Sequence, residues 1–489
     1  MENFGCRTSQ ADGDAIAAAL DALGAIESKG LRQADVVVVN TCTVTAAADG
    51  DARASIRRIQ RANPQSRIVV TGCYAQRAPQ EIAALPGVFA VVGNSHKSQV
   101  ASIALGGMLP NLTSNLHSSV SEGFVPLTSL HGTQPPYTSR QASAFLLASD
   151  IFAHTEFQLP SFPAAMVRRS PDAHATRRTR PSLKIQDGCG NRCTFCVIPS
   201  TRGNSRSHPH ANVLAEVEQF VDAGGKELVI TGINLGRWGR DLTPQNRLED
   251  LLAEIFESTA LRRLRISSVE PMDWTDGLVA LFARWSKGDH PRLARHAHLP
   301  LQSGADAVLR RMHRRYRPWH YAERVAKIRA ASPDAAIGAD VMVGFPGETE
   351  TEFQENYDFI AAQPFTYLHL FPFSARSGTA GWELHGQNPV PGEAVKERMA
   401  ALRALIGTKN LAFRSAFVGK RLSAMTLIAS ESAADFGRGS ALTDNFLPVG
   451  LDSVGTANTV VTVQITASTA SGLSGTVIEN RPGYGPRTQ

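Results

Sequence analysis

Lys184-Ile185-Gln186-Asp187-Gly188-Cys189-Gly190-Asn191-Arg192-Cys193-Thr194-Phe195-Cys196 sets three cysteines in a C-x3-C-x2-C run directly after a short β-like segment, Leu183 to Gln186. Three thiolates on one tight loop suit three irons of a 4Fe–4S cluster and leave the fourth iron open to chelate a small molecule. A structural zinc knuckle is the competing reading, and it needs a fourth Cys or His at close spacing. Only His208 and His210 stand near enough to serve.

Outward from this loop, 489 residues are enough for three domains. With 43% hydrophobic and 19% charged residues the chain has the means to bury real cores. Its start, Met1 to Cys6, shows no basic segment followed by an apolar one, and no run of about 18 apolar residues occurs. The expectation is a cytoplasmic protein with no secretory signal and no membrane span. The six cysteines, Cys6, Cys42, Cys73, Cys189, Cys193 and Cys196, are too sparse for a disulfide framework and point to metal in a reducing compartment. A formal net charge of +6 is compatible with a nucleic-acid partner.

Residues 1–103 alternate helix and strand. Asp12 to Gly24 sets Ile16, Leu20 and Leu23 on one helical face. Asp35 to Cys42 is a continuous β-branched run of the kind buried in a parallel sheet. Ala46 to Ala62 reads as a helix stopped by Asn63-Pro64, and Arg67 to Cys73 and Val88 to Val92 as further strands. The pattern predicts an open, mostly parallel α/β domain. Cys6, Cys42 and Cys73 each stand at or just past a strand's carboxyl end, the edge where open α/β sheets bind ligands. They are expected to converge on one rim and hold a second cluster; the alternative is three small buried packing residues.

Residues 104–180 show no sustained period, with Leu109-Pro110-Asn111 and Gln134-Pro135-Pro136 among scattered Ser, Thr and His. They read as a linker or insertion, partly disordered. Within it Phe145 to Phe152 is expected as a short helix. Arg168, Arg169, Arg177, Arg178 and Arg180 form either a solvated linker or an RNA-facing run. From 181 to 414 six strand-like runs recur: Leu183–Gln186, Leu228–Thr231, Leu264–Ser268, Ala297–Leu301, Ile337–Val343 and Tyr367–Phe371. Helical patterns such as Leu248–Phe256, Tyr321–Ala331 and Glu350–Ala361 separate them, predicting a partial (β/α)6 barrel with its site at the strands' carboxyl ends. Arg310 to Arg317 is basic with Tyr316 inside, either a phosphate-tracking segment or an exposed helix end. The tail, 415–480, carries short strands at Leu422–Ile428, Phe446–Leu451, Val460–Ile465 and Gly475–Ile478, which predict a small antiparallel β-barrel.

The C-x3-C-x2-C loop, with aromatic Phe195 before its last cysteine, resembles the signature of radical S-adenosylmethionine enzymes. With Gly5-Cys6, Val39-Asn40-Thr41-Cys42-Thr43-Val44 and Thr71-Gly72-Cys73-Tyr74-Ala75-Gln76-Arg77, the chain resembles the methylthiotransferase family of those enzymes. Thr231 to Gly236, Ser267 to Pro271, His298 to Gly304 and Val343 to Thr349 extend the match, and Ala441 to Val449 is similar to the TRAM domain, an RNA-binding module. One departure lies at the first cysteine. The family has a full strand before it and a Cys-Lys-Val-Asn-Gln type sequence at it, whereas here five residues precede Cys6 and Arg7-Thr8-Ser9-Gln10 follow. A shortened first strand is expected.

The resemblance implies an enzyme with two 4Fe–4S clusters and S-adenosylmethionine. Cys189, Cys193 and Cys196 are the implied ligands of the catalytic cluster, whose electron breaks the cofactor's C–S bond and releases a carbon radical. Cys6, Cys42 and Cys73 are the implied ligands of the cluster that supplies or carries sulfur, and Phe195, Gly232 and Gln302 are implied neighbours of the cofactor. The implied reaction replaces a C–H by C–SCH3 at C2 of a modified adenosine beside the anticodon. No positioned acid or base ionises such an aromatic C–H at neutral pH, so a radical removes the hydrogen. The implied partners are a tRNA anticodon stem–loop and an external electron donor, with the enzyme a monomer. The Thr231 and Ser267 runs resemble the branch acting on N6-threonylcarbamoyladenosine. Alternatives are the isopentenyladenosine branch, a branch modifying an aspartate of a ribosomal protein, and a non-catalytic RNA-binding protein with zinc or a sensing iron–sulfur cluster.

Overall fold

The computed structural model describes residues 1–106, 144–157, 179–428, 439–453, 455–469 and 472–480. Most of the predicted insertion, with Arg168, Arg169, Arg177 and Arg178, lies outside the described residues. The valine run after Asp35 and the Ile-Val run after Arg67 become strands because β-branched side chains pack well where both faces are covered. Strands β1 (Glu2–Asn3), β2 (Val36–Thr41), β3 (Arg67–Gly72), β4 (Val88–Gly93) and β5 (Phe145–Leu147) form a parallel sheet in sequence order. The shortened first strand is present, with Asn3 opposite Asn40. β5 corrects the expected helix over 145–152. Phe145–Leu147 adds to the sheet edge along Ala90–Val92, and only Ile151–Ala153 makes a helical turn. Ladder bonds on an open edge are worth more to three apolar residues than a short helix, whose nucleation is costly.

Helix α1 (Arg7–Ala22) begins at Arg7 rather than Asp12. Its buried face carries Ser9, Asp12, Gly13 and Ile16, whereas Leu23 is exposed. That polar face is covered because it lies on a charged strand of the next unit. Helix α2 (Ala46–Ala62) is capped by Thr45, whose hydroxyl accepts from the Ala48 amide at 3.2 Å.

All six expected barrel strands form. They are β6 (Ser182–Asp187), followed by the short antiparallel β7 (Arg206–Ser207) at its side, then β8 (Glu227–Gly232), β9 (Arg263–Ile266), β10 (His296–His298), β11 (Ala336–Val343) and β12 (Tyr367–Pro372). β6, β8 and β9 are paired in parallel, as are β10, β11 and β12, and the two groups are joined by single parallel bridges at Leu264–Leu293 and Ser268–His298. Their outer faces pack on the helices through residues such as Leu183, Ile185, Ile230, Val341 and Phe345. The curved sheet is open between its first and last strands, and the amino-terminal unit spans the opening. α1 packs on β6 and β8. On the far side Arg376, just after β12, ion-pairs with Asp49 of α2 and donates to the Thr43 hydroxyl at 2.8 Å.

The tail is a closed barrel of β13 (Arg421–Thr426), β14 (Gly439–Thr443), β15 (Pro448–Leu451), β16 (Val460–Ser468) and β17 (Leu473–Asn480), around Leu422, Val449, Val463 and Ile465. Two details differ from expectation: β14 is an additional strand, and β15 pairs with β17 in parallel. The turn between β14 and β15 docks at the amino ends of β9 and β10. There Arg265 donates to the Thr443 and Asp444 carbonyls at 3.1 and 3.2 Å, and Arg295 ion-pairs with Asp444.

Candidate active site

Parallel pairing positions the first three cysteines. Asn3 lies opposite Asn40 and Thr41 opposite Gly72, so Cys6, Cys42 and Cys73 leave adjacent strands at one rim. Gly5, at φ 99°, passes so close that a Cβ there would lie 2.7 Å from the Cys42 Cβ. Gly72, also at φ 99°, lets Cys73 open helix α3 (Cys73–Arg77) where a side chain would strike the Thr41 carbonyl. Cys6 is exposed; Cys42 and Cys73 are buried. Burial pushes the Cys42 thiol up to about 12, and neighbouring Cys73 and Cys6 add to the shift. The Asn94 side-chain amide stands 3.6 Å from the Cys73 sulfur.

The second set sits on the loop after β6. The Cys189 amide donates to the Gly203 carbonyl at 2.9 Å, and the Cys196 amide to the Cys193 carbonyl at 3.1 Å. Burial pushes the Cys196 thiol up to about 12. The Asn191 amide and the Asn234 side chain stand 3.4 and 3.7 Å from the Cys189 sulfur. Arg314 donates to the Cys193 sulfur at 3.2 Å, pairs with Glu270 and reaches the Tyr316 hydroxyl at 3.2 Å. Arg314 belongs to the basic run read as an RNA contact or an exposed helix end, and it is neither. Burial works against its charge, and Tyr316, Glu270 and Cys193 more than restore it. In the same run Arg311 takes Glu352 at 2.7 Å and Arg317 takes Asp306 at 3.4 Å, so no continuous free stripe remains.

Donor geometry separates the metal readings. Two thiolates on one tetrahedral zinc ion lie within about 4 Å of each other. Among the described residues, the trio whose donor atoms all lie within 4.8 Å is His298, Asp340 and His369, and it contains no cysteine. His208 turns to Glu216 at 2.8 Å and His210 to Glu254 at 3.0 Å, so neither supplies a fourth zinc ligand. All-sulfur donor sets are the chemistry that iron–sulfur clusters use.

Between the first rim and the barrel interior lies a cleft of about 380 Å³, lined by Cys6, Arg7, Gly232, His298, Asp340 and His369 among others. Gly232 therefore shares a wall with Cys6. Phe195 packs against the barrel core beside the cysteine loop, where Gly381 approaches it. Gln302 has φ 65°, and among the described residues its buried side-chain oxygen has no hydrogen-bond partner. Asp340 shares a hydrogen bond with His369 at 3.1 Å and stands 3.4 Å from His298. Burial raises its carboxyl, and the two imidazoles outweigh that and hold it below the usual range.

Behind the rim is an ion network that sequence reasoning missed. Asp12 of α1 meets Lys184 of β6 and Lys97 at 2.5 Å each, and Arg202 at 3.0 Å. Asp187 takes Arg202 at 2.8 Å and Lys184 at 3.0 Å. All five side chains are buried. Burial disfavours the Arg202 charge, yet Asp187, Cys73, Asp12 and Cys6 hold it firmly protonated. The available signal was Lys184 and Asp187 inside a strand of otherwise buried character.

A parallel (β/α)6 half-barrel with a three-cysteine loop after its first strand defines the radical S-adenosylmethionine class. Residues 183–360 match the Radical SAM superfamily, and residues 1–93 match the family described as uncharacterized protein family UPF0004. The threonylcarbamoyladenosine tRNA methylthiotransferase MtaB of Bacillus subtilis (strain 168) is 35% identical over 450 residues, covering 92% of this chain and 89% of its own. The protein of the same name from Aquifex aeolicus (strain VF5) is 34% identical, covering 87% and 92%. The tRNA-2-methylthio-N(6)-dimethylallyladenosine synthase of Cereibacter sphaeroides (strain ATCC 17029 / ATH 2.4.9) is 30% identical, covering 97% of both chains. The chain belongs to the radical S-adenosylmethionine methylthiotransferases, enzymes of tRNA modification. It works with S-adenosylmethionine and two 4Fe–4S clusters. Among the described residues no helix is long and apolar enough to cross a membrane.

Proposed function

We propose that the enzyme converts N6-threonylcarbamoyladenosine beside the tRNA anticodon into its 2-methylthio derivative. The observation that carries this reading is the cleft lined by Cys6, Arg7, Thr8 and Ser268, which lies between the rim of Cys6 and the barrel whose first strand leads into Cys189, Cys193 and Cys196. We assign the second set to the cluster that binds S-adenosylmethionine, with Phe195, Gly232 and Gln302 as cofactor neighbours, and the first set to the sulfur-handling cluster. When bound, these groups supply the reductive cleavage and the transferred sulfur, with electrons from an external donor. The chain's own residues orient and seclude. Arg314 sets a fixed positive charge against Cys193, and Asn234 and the Asn191 amide face Cys189. The start of α1 supplies one wall of the cleft through Arg7, Thr8 and Gln10. A base in an anticodon loop is largely unpaired, so extruding it into the cleft costs little.

In this reading residues 1–103 carry the sulfur-handling rim, 104–180 an insertion, 181–414 the barrel, and 415–480 the module that grips RNA by shape and phosphates. Relatives of both adenosine types match the chain, and mass analysis of tRNA nucleosides separates them. Expressed in a bacterial strain lacking its own methylthiotransferases, the enzyme is expected to yield 2-methylthio-N6-threonylcarbamoyladenosine. Exclusive methylthiolation of isopentenyladenosine would overturn the substrate assignment.

A further inference from the structure

The cleft holds one carboxylate among its lining residues, Asp340, and that group is engaged by His369 and His298. Glu227 beyond it is taken by Arg265 at 3.1 Å and Arg263 at 3.4 Å. Arg7 is different. It is the first residue of α1, adjacent to Cys6, and it lines the cleft. Among the described residues its guanidinium makes no hydrogen bond and no ion pair; it lies over the Phe446 ring at 5.9 Å. Phe446 is itself fixed against His296 at 4.4 Å and Tyr367 at 5.4 Å. The carboxylate that attracts Arg7, Glu227, is already held by Arg265 and Arg263, and a half-buried guanidinium so placed gains from an arriving anion, its planar fork suiting a carboxylate.

We infer that Arg7 receives the carboxylate of the threonyl group carried on N6 of the target adenine, and so selects that substrate over an adenine with a hydrocarbon substituent. The inference rests on the substrate reading above and names the residue that enforces it. Thr8 and Ser268 put hydroxyls on the same walls, suited to the threonyl hydroxyl and the carbamoyl group. An isopentenyl group docked there would desolvate Arg7 and leave it unpaired, which penalises the wrong base as well as favouring the right one.

The test uses the reconstituted holoenzyme and anticodon stem–loops carrying one of three adenosines: threonylcarbamoyl, the same group with its carboxylate converted to a carboxamide, or isopentenyl. Fluorescence anisotropy reads affinity and mass analysis reads product. The wild-type enzyme is expected to bind the carboxylate RNA about tenfold or more tightly than the carboxamide RNA, Arg7→Gln to bind the two alike, and Arg7→Lys to recover much of the preference. A preference retained in Arg7→Gln, or no preference in the wild type between carboxylate and carboxamide, overturns the role of Arg7 while product from threonylcarbamoyl RNA keeps the substrate reading. Product from isopentenyl RNA alone overturns the substrate reading itself. The wild-type comparison stands even if Arg7→Gln fails to fold.

Discussion

A thiol at a strand end is either packing or a ligand, and the two roles predict different losses. Cys42 is 5% exposed and sits against Gly5, so as packing its replacement by Ala costs about 1 kcal/mol and leaves the chemistry alone. As a ligand it holds a cluster on a different unit from Cys189, Cys193 and Cys196. Cys42→Ala is then expected to lose about one cluster of iron, still to form 5′-deoxyadenosine, and to make no methylthio product. Cys193→Ala is expected to lose 5′-deoxyadenosine as well. Iron per chain and the two yields decide; normal product with undiminished iron in Cys42→Ala would rule out the sulfur-handling cluster. The shared rim of Cys6, Cys42 and Cys73 was legible because Cys42 and Cys73 end β-branched runs, and the loop of Cys189, Cys193 and Cys196 from its spacing. Arg7 and Arg314 were not. Arg7 looked like a variant of a family motif and Arg314 like one more cation in an exposed run. Each acquires its meaning from partners, Phe446 and Glu270, that are distant in sequence.

At the scale of elements, α1 is the piece whose reading was most instructively incomplete. Of the expected face Ile16, Leu20 and Leu23, Ile16 is buried and Leu20 packs beside it while Leu23 is exposed, and a second buried face runs through Ser9 and Asp12 because its partner strand carries Lys184 and Asp187. Apolar periodicity finds the face that packs on oil, and this helix has a second face that packs on charge. The latch has a pH signature. Burial raises the Asp12 carboxyl, but Lys184, Lys97 and Arg202 outweigh it and hold it at about 2, against 3.8 in an ordinary environment. Folding thus favours the ionised form. The contribution, on the order of 2 kcal/mol, is complete above about pH 4 and is lost as the pH falls toward about 2. Asp12→Asn removes it at all pH values and leaves cations buried without a counter-charge, a change expected to cost about 3–5 kcal/mol. Urea unfolding at neutral pH and near pH 3 measures both. Equal midpoints for wild type and Asp12→Asn at neutral pH would exclude the latch.

At the scale of the whole molecule, three units are joined through buried charge. The order of strands was legible throughout the half-barrel. The parallel β15–β17 pair and β14, whose Gly-Ser-Ala-Leu-Thr run has little β-branched character, emerge only from closure of the small barrel. The same closure presents Asp444 and Phe446 to the half-barrel, where Phe446 backs two residues of the cleft wall, His296 and Tyr367. Deleting residues from 416 onward would strip Arg263, Arg265 and Arg295 of partners on Ser423, Thr443 and Asp444, and weaker RNA binding by such a fragment would report damage as much as a lost contact. A single change is the cleaner probe. Asp444→Ala leaves the half-buried Arg295, among the described residues, with Asp334 at 3.8 Å as its remaining ion pair, and frees the turn that seats Phe446 against His296 and Tyr367. The expected loss is about 3 kcal/mol at the interface. The two barrels are then expected to unfold in separate calorimetric transitions rather than one, because the coupling between them falls while each keeps its own core. Substrate affinity should drop with it, as Arg7 loses the ring it lies against. An unaltered single transition in Asp444→Ala would mean that the barrels are coupled by something other than this turn.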